Sequence, residues 1–293
     1  MQRVGIVGLG LLGTAVASRL LKDGVEVTGY DVRAGRAEAL VPGGLQVAEN
    51  TARACAGADA VFTILPSLDS VEEVLRGPSG VLEEAPTGAF IIQMSTISPE
   101  LARRMGAAAT ARGYGFLDAP ISGTSAMVAA GDCTVLVGSD QAHLDACRPL
   151  FAAIARRTVH MGEVGAASLA KLATNLLVAL NTAAVAEALV LGTAGGLDKA
   201  RLLDAWQGTA ASSRMMEARG PLMAEGRYPP QMKLDLFMKD LHLMLDEGRR
   251  LNVPLPLTGV AERLYAAAAD AGRGSEDLAS VMTALQGLAS QDS

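Results

Sequence analysis

The sequence has few aromatic, cysteine and histidine residues. Its 293 residues include one Trp, four Tyr, five Phe, three Cys and three His, although half of the chain is hydrophobic. The apolar content is therefore mostly Ala, Leu and Val, which favours close helix packing over an aromatic-rich β-sandwich. The three cysteines have neither an even number nor metal-binding spacing, so we expect free thiols in a reducing compartment. The histidines are scattered, and we expect no metal site.

The chain also lacks an excess of basic residues and a long uninterrupted apolar run. It contains 25 Lys and Arg against 31 Asp and Glu, a net charge of −6, which works against nucleic-acid binding. Its most apolar stretch is interrupted by Lys171, Asn175 and Glu187, so we expect no membrane partner. Residues 1–7 do not resemble a signal peptide, and we expect a cytoplasmic protein.

The pattern of secondary structure changes near Gly162. Before this residue, short β-rich runs alternate with amphipathic helical segments, which predicts a doubly wound, mostly parallel α/β sheet. After it, only helical segments follow, separated by turns that contain Gly or Pro. The sequence therefore predicts an α/β domain over residues 1–162 and an all-α domain over residues 163–293, and the length also fits about two domains.

A glycine-rich loop follows the first predicted strand and opens a helix. It reads Gly8-Leu9-Gly10-Leu11-Leu12-Gly13, a G-x-G-x-x-G pattern. The first glycine permits the tight turn, the second lets the backbone approach a pyrophosphate, and the third lets helix and strand pack closely. The helix N-terminus then faces the phosphate charge. We predict a Rossmann-like dinucleotide site in which Gly8, Gly10, Leu11, Leu12 and Gly13 contact the cofactor.

Asp31, at the end of the second predicted strand, lies about twenty residues beyond this loop, where the fingerprint places an acidic residue. A carboxylate there can accept hydrogen bonds from both ribose hydroxyls of NAD and repels the additional phosphate of NADP. Arg33 follows two residues later, and its guanidinium could bind that phosphate. We expect NAD and leave NADP as the less favoured alternative. An ordinary solvated aspartate at a turn remains the less favoured alternative for Asp31.

Three further segments carry a family resemblance when they are taken together with the loop. They are residues 118–124 (DAPISGT), 165–175 (GAASLAKLATN) and 237–241 (FMKDL). Over essentially its whole length the chain resembles the β-hydroxyacid dehydrogenases, the family of 3-hydroxyisobutyrate dehydrogenase and tartronate semialdehyde reductase. The resemblance implies an NAD(P)-dependent oxidoreductase with a C-terminal domain like that of 6-phosphogluconate dehydrogenase. It also implies a small anionic β-hydroxy acid or semialdehyde as the substrate.

Lys171 and Asn175 are out of place in a predicted helix that otherwise consists mainly of Ala, Leu, Thr and Val. They are four residues apart and therefore share one helix face. Burying an ammonium group without partners is expensive, so this lysine needs a structural or chemical reason. One such reason is a stem that covers apolar surface while its head reaches water. The resemblance instead implies that Lys171 is the catalytic residue, which we interpret as a general acid/base, and that Asn175 orients the substrate.

The segment around Ser122 offers a hydroxyl group and exposed backbone N–H groups to a carboxylate. The resemblance implies that Ser122 and Gly123 hold the acid group of the substrate. Thr124 stands where the family usually has a second glycine, and we expect it to narrow the substrate pocket. An ordinary surface turn remains the alternative.

Weaker assignments also follow from the resemblance. Leu65, Pro66 and Thr96 lie at predicted strand ends, where open α/β sheets bind ligands, and Lys239 would reach toward the cofactor. We expect these four residues to contact the cofactor, although routine strand-end or surface roles would also explain them.

Two other functions remain open. An imine reductase would share this architecture, but those relatives generally lack the lysine at the position of Lys171. A catalytically silent, cofactor-binding scaffold would also be expected to lose that lysine. The apolar character of the helix that carries Lys171 further predicts a homodimer or homotetramer.

Overall fold

The computed structural model describes residues 1–33 and 35–291. The chain divides into two compact units, Met1–Lys171 and Leu172–Ser293. The predicted change from alternating strands and helices to helices alone falls at Gly162, where the last strand ends. The division into units lies slightly later, inside the long helix that follows.

The first unit is built on one nine-stranded sheet. Its strands are β1 (Arg3–Val7), β2 (Glu26–Tyr30), β3 (Gln46–Val47), β4 (Ala60–Thr63), β5 (Phe90–Gln93), β6 (Gly115–Asp118), β7 (Ile121–Ser122), β8 (Thr134–Gly138) and β9 (Arg157–Gly162). The order across the sheet is β3-β2-β1-β4-β5-β6-β8-β7, with β9 also paired to β8. Strands β1 to β6 pair in parallel, whereas β8 runs antiparallel to both β6 and β7.

Alternate residues of the central strands belong to two separate hydrophobic cores, because successive side chains of a strand point to opposite faces of the sheet. One core contains Ile6, Phe62, Ile92 and Leu117. The other contains their chain neighbours Val7, Val61, Ile91 and Phe116. The predicted doubly wound, mostly parallel sheet is therefore confirmed. The strand order reverses between β1 and β4, and ligands of such sheets bind outside the carboxyl ends of the strands at this point.

Helices cover both faces of the sheet. They are α1 (Leu11–Lys22), α2 (Gly35–Glu38), α3 (Thr51–Cys55), α4 (Leu68–Arg76), α5 (Val81–Glu84), α6 (Pro99–Thr110), α7 (Ser125–Ala130) and α8 (Gln141–Ile154). Several begin at a polar residue whose side chain accepts a hydrogen bond from the first turn, as Ser67 does for α4 and Ser98 for α6. Such caps satisfy N–H groups that have no partner within the helix.

Helix α9 (Ala166–Ala194) contains the division between the two units, since Lys171 is the last residue of the first. By length and composition α9 could cross a membrane, a test that core helices of water-soluble proteins also pass. This differs from our expectation, because the residues between Lys171 and Glu187 carry no charge and a long apolar window therefore contains at most these two charges.

The second unit consists of helices in the part of the chain that the structure describes. After α9 come α10 (Lys199–Trp206), α11 (Arg214–Glu225), α12 (Leu234–Arg250), α13 (Pro256–Ala268) and α14 (Val281–Gln291). A fully buried ion pair joins Arg219 Nε to Asp277 Oδ1 at 3.0 Å, and Asp277 Oδ2 accepts hydrogen bonds from the backbone N–H groups of Gln231 and Met232. Because both oxygens of the Asp277 carboxylate have partners, this buried pair orders the loop that leads into α12.

Candidate active site

The glycine-rich loop joins β1 to α1 at the carboxyl end of the sheet. Gly8 has a φ of +100°, and a Cβ there would lie 2.2 Å from the carbonyl oxygen of Ile64. A Cβ on Gly13 would lie 2.0 Å from the carbonyl oxygen of Gly8. Folding itself therefore requires the first and third glycines, since neither position has room for a side chain.

Gly10 is different, because neither its backbone nor its surroundings require glycine. Its φ of −65° and ψ of −171° suit any residue, and a Cβ would meet only Arg36 Nη1, at 3.8 Å. The space beside Gly10 is open at the start of α1, where Leu11 and Leu12 present first-turn N–H groups. An open space next to a helix N-terminus fits the pyrophosphate of a dinucleotide.

Asp31 is buried directly behind this loop. Its Oδ2 accepts a hydrogen bond from the Leu9 N–H at 2.8 Å, and its Oδ1 accepts one from the Arg33 N–H at 2.9 Å. Arg36 Nη1 lies 3.1 Å from Oδ2. Burial would raise the pKa of Asp31, but the two backbone N–H groups and the Arg36 guanidinium together hold the pKa below its ordinary value. The carboxylate is thus ionised at neutral pH and fixed at the end of β2.

Sequence reasoning selected Arg33 as the cation near the ribose and did not consider Arg36. In the structure the Arg33 side chain is exposed, and its described contact with Asp31 is made by its backbone N–H. Arg36 is one turn of helix farther along, in α2, and its side chain turns back onto the carboxylate. A spacing of five residues from Asp31 into a short helix carried no clear signal in the sequence.

The loops after β4 and β5 are tied together. Ser95 Oγ accepts a hydrogen bond from the Leu65 N–H at 2.8 Å, and the fully buried Gln93 side chain bonds both the N–H and the carbonyl oxygen of Ser95. Leu65, Pro66 and Thr96 therefore lie at neighbouring strand ends of the same sheet edge as the glycine-rich loop. Their contacts with a cofactor remain predictions.

The segment predicted to hold the substrate carboxylate begins with β7. Ser122 pairs with Thr134 of β8, and Gly123 is exposed with a φ of +151°. Thr124 has a structural role that we did not predict, since its Oγ1 accepts a hydrogen bond from the Met127 N–H and caps α7. Its φ of −79° suits a residue with a side chain, which explains why a second glycine is not needed there.

Asp118, the last residue of β6, is fully buried and binds the first turn of α9. Its Oδ2 accepts hydrogen bonds from the Gly165 N–H at 3.1 Å and the Ser168 N–H at 2.8 Å, and its Oδ1 accepts one from Ser168 Oγ at 2.7 Å. Burial raises the pKa of Asp118 to about 6, although these donors and the charge of Arg103 oppose the shift. A strand of the sheet thus fixes the start of the helix that carries Lys171.

Lys171 and Asn175 are both buried, with 8% and 3% of their surfaces exposed. They lie one turn apart on α9, on the same face as Ser168. A lysine stem on the surface with its head in bulk water would be far more exposed than this, so the structure disfavours that explanation of Lys171.

Within the second unit, Asn175 belongs to a polar cluster with Lys239 and Asp240. Asn175 Nδ2 donates to Asp240 Oδ2 at 2.8 Å, and Lys239 Nζ lies 2.9 Å from Asp240 Oδ1. The buried carboxylate therefore sets the orientation of the Asn175 amide and holds Lys239 beside it. Sequence reasoning missed Asp240, and a charged residue next to Lys239 in an amphipathic helix was its only signal.

Separate substitutions of Gly10 and Gly13 should show that Gly10 is needed for cofactor binding and Gly13 for stability. We expect Gly13→Ala to lower the free energy of unfolding by about 2 kcal/mol or more, because its Cβ would overlap backbone. Gly10→Ala should leave that free energy within about 1 kcal/mol, yet weaken NADH binding at least tenfold. Denaturant unfolding and NADH fluorescence measure the two effects. Gly259→Ala, on a helix face with open space, is the matched control, and unchanged NADH binding by Gly10→Ala would contradict the assignment.

The raised pKa of Asp118 predicts a specific pH dependence of stability. Between about pH 4 and pH 6 the folded protein retains a proton on Asp118 that the unfolded chain releases. The free energy of unfolding should therefore fall as pH rises through this window, by at most about 1.4 kcal/mol per pH unit, and this contribution should be constant above it. Denaturant titrations from pH 4 to pH 7 should show the fall in the wild type relative to Asp118→Asn. Parallel curves for the two proteins would show that Asp118 does not titrate in this range.

Comparison with known families agrees with this geometry. Residues 3–162 match the model described as the NAD binding domain of 6-phosphogluconate dehydrogenase. Residues 165–285 match the model described as NAD-binding of NADP-dependent 3-hydroxyisobutyrate dehydrogenase. The two matches together span nearly the whole chain.

Individual relatives are similar over their full lengths. The chain is 35% identical to 2-(hydroxymethyl)glutarate dehydrogenase of Eubacterium barkeri over 281 residues, covering 96% of this chain and 93% of the relative. It is 32% identical to 2-hydroxy-3-oxopropionate reductase of Escherichia coli, covering 98% of each. The crystal structure of 3-hydroxyisobutyrate dehydrogenase from Salmonella typhimurium superimposes with a TM-score of 0.89 at 31% identity, over 97% of this chain and 99% of that one. The chain therefore belongs to the β-hydroxyacid dehydrogenase family.

Proposed function

We propose that this protein transfers a hydride between a nicotinamide cofactor and a small β-hydroxy acid or its semialdehyde, with Lys171 as the general acid/base. The observation that carries the proposal is the buried Lys171, on a helix whose first turn is bonded to the strand that leads into the Ser122 loop. The names of the relatives support the substrate class, because they describe dehydrogenation of a hydroxy acid and reduction of an oxo acid.

Different residues of this chain would bind the substrate, transfer the proton and orient the reacting groups. Ser122 Oγ and the backbone at Gly123 bind the substrate carboxylate and thereby orient the carbon that reacts. Lys171 Nζ accepts the proton of the substrate hydroxyl group on oxidation and returns it to the carbonyl oxygen on reduction. Asn175, held by Asp240, supplies an amide on the same helix face. A bound nicotinamide supplies or accepts the hydride.

The buried position of Lys171 also separates this proposal from the alternatives. A silent scaffold has no need of an ammonium group in an apolar helix, where its burial is costly. An imine reductase of this architecture would be expected to lack a lysine at this position. Turnover of carboxylate-bearing substrates and of cyclic imines therefore distinguishes the three functions.

Lys171 is tested by substitution. We expect Lys171→Ala to lower kcat at least a hundredfold while the Kd for NADH changes less than twofold, because the amine acts on the proton of the substrate and not on cofactor binding. A screen of serine, 3-hydroxyisobutyrate, glycerate, 3-hydroxypropionate and 4-hydroxybutyrate identifies the substrate for this assay. Lys199→Ala, at a partly exposed position in α10, is the matched control. Near-normal turnover by Lys171→Ala would exclude the role.

For the cofactor we propose NAD in preference to NADP. The ionised Asp31 carboxylate is held by Leu9 and Arg33 at the end of β2, where it can accept the ribose hydroxyl groups and repel a 2′-phosphate. Arg36 opposes this preference, since its guanidinium lies close enough to Asp31 to offset part of the negative charge and could itself bind a phosphate.

The cofactor proposal predicts opposite effects of two substitutions. Asp31→Asn should lower the preference for NADH over NADPH at least tenfold, because a neutral side chain no longer repels the 2′-phosphate while Arg36 remains. Arg36→Gln should increase that preference. The ratio of the two dissociation constants, measured by fluorescence, reports both effects without a substrate. Arg33→Gln is the matched control and should shift the ratio less than threefold. A wild-type protein that prefers NADPH tenfold would refute the proposal.

A further inference from the structure

Helix α9 begins differently from several other helices of this protein. Helices such as α4, α6, α10 and α11 begin at a Ser or Asp whose own side chain accepts a hydrogen bond from their first turn. The first turn of α9 is instead bound by Asp118, which precedes Gly165 by 47 residues and Ser168 by 50. A local polar residue would suffice to start a helix.

Capping α9 with the distant Asp118 requires a carboxyl group to be buried, and a local cap at the protein surface avoids this desolvation cost. Asp118 is fully buried, and its raised pKa shows that burial outweighs the three hydrogen bonds and the charge of Arg103. Buried polar groups that are costly but fully hydrogen-bonded fix one arrangement of the elements that they join. Here the two joined elements are β6 and the first turn of α9.

Both of these elements lead directly to residues of the proposed reaction. Asp118 precedes Ser122 by four residues, and the intervening segment is held by hydrogen bonds from the Ala119 N–H to Gln93 and from the Leu136 N–H to Pro120. On the other side, Ser168 precedes Lys171 by three residues and lies on the same helix face. The surrounding backbone is equally tight, since a Cβ on Gly138 would lie 2.6 Å from the carbonyl oxygen of Glu163.

We propose that Asp118 is a positioning residue, whose hydrogen bonds to Gly165 and Ser168 set the place of Lys171 relative to the Ser122–Gly123 loop. The inference rests on the proposed function, because it assigns the distance between the carboxylate-binding loop and the general acid/base to this contact. Misplacement of a catalytic group by about 1 Å can cost on the order of a hundredfold in rate, so a fixed contact between the two elements has a direct effect on kcat.

The test compares substitutions that remove the contact with one that preserves its geometry. Asp118→Ala should lower kcat about tenfold to a hundredfold while the Kd for NADH changes less than twofold. Asp118→Asn should retain kcat within about threefold, because its amide oxygen can accept from both backbone N–H groups while its amide nitrogen donates to Ser168 Oγ. Ser168→Ala removes only the hydroxyl donor, is expected to fold, and should lower kcat about threefold or more. Asp198→Ala removes the local cap of α10 and should leave kcat unchanged.

A double substitution separates positioning from a general loss of stability. In the Lys171→Ala background, Asp118→Ala should cause no further fall in kcat, because the group that it positions is already absent. The rate at which an amine-reactive reagent labels Lys171, followed by peptide mass spectrometry, should change in Asp118→Ala and Ser168→Ala but not in Asp198→Ala. This second readout needs no substrate.

The outcomes distinguish this inference from the proposed function. If Lys171→Ala retains turnover, the proposed function fails. If Lys171→Ala is inactive but Asp118→Ala and Ser168→Ala both turn over normally, only the positioning role fails. Equal losses in Asp118→Asn and Asp118→Ala, or a further loss in the Lys171→Ala background, would also overturn it.

Discussion

The proposed chemistry depends on the hydrogen bonds that Asp118 accepts from Gly165 and Ser168 at the start of α9. They join the end of a buried strand to the helix that carries Lys171, and the same strand leads within four residues to Ser122. The sheet is the rigid part of the first unit, because both of its faces are packed against hydrophobic cores. The start of α9 is therefore fixed relative to that sheet.

Buried aspartates hold three other segments of the chain in a similar way. Asp31 is bonded to the glycine-rich loop, Asp240 to Asn175, and Asp277 to the loop before α12. Each carboxylate accepts hydrogen bonds from groups on another part of the chain, so each fixes a loop or an amide that would otherwise be free to turn. Their environments differ, because burial raises the pKa of Asp118 whereas backbone donors and Arg36 lower that of Asp31.

The net charge of −6 needs a local explanation when the cofactor and the proposed substrate are both anions. The backbone can provide part of it, since the proposed phosphate site lies at the N–H groups that begin α1, where no side chain intrudes at Gly10. Lysine and arginine side chains can provide the rest, and Arg36 and Lys239 each lie beside a carboxylate. Such pairing holds a cation in place without leaving a broad basic surface that would attract other polyanions.

The sequence by itself determined the doubly wound sheet, the helical second half, the glycine-rich loop and the identity of Lys171 as an unusual residue. These features are local or periodic. They can be predicted from the sequence because glycine has distinct steric properties and because apolar residues recur with different periods in helices and strands. Only the tertiary structure decided that Arg36 rather than the Arg33 side chain lies on Asp31, that Asp118 accepts hydrogen bonds from Gly165 and Ser168, and that Asp240 accepts one from Asn175. Those contacts join residues that are distant in the chain or turned toward one another by a loop. Hydrogen bonds of this kind depend on positions that no local pattern encodes, because they form only after the sheet and the helices have packed.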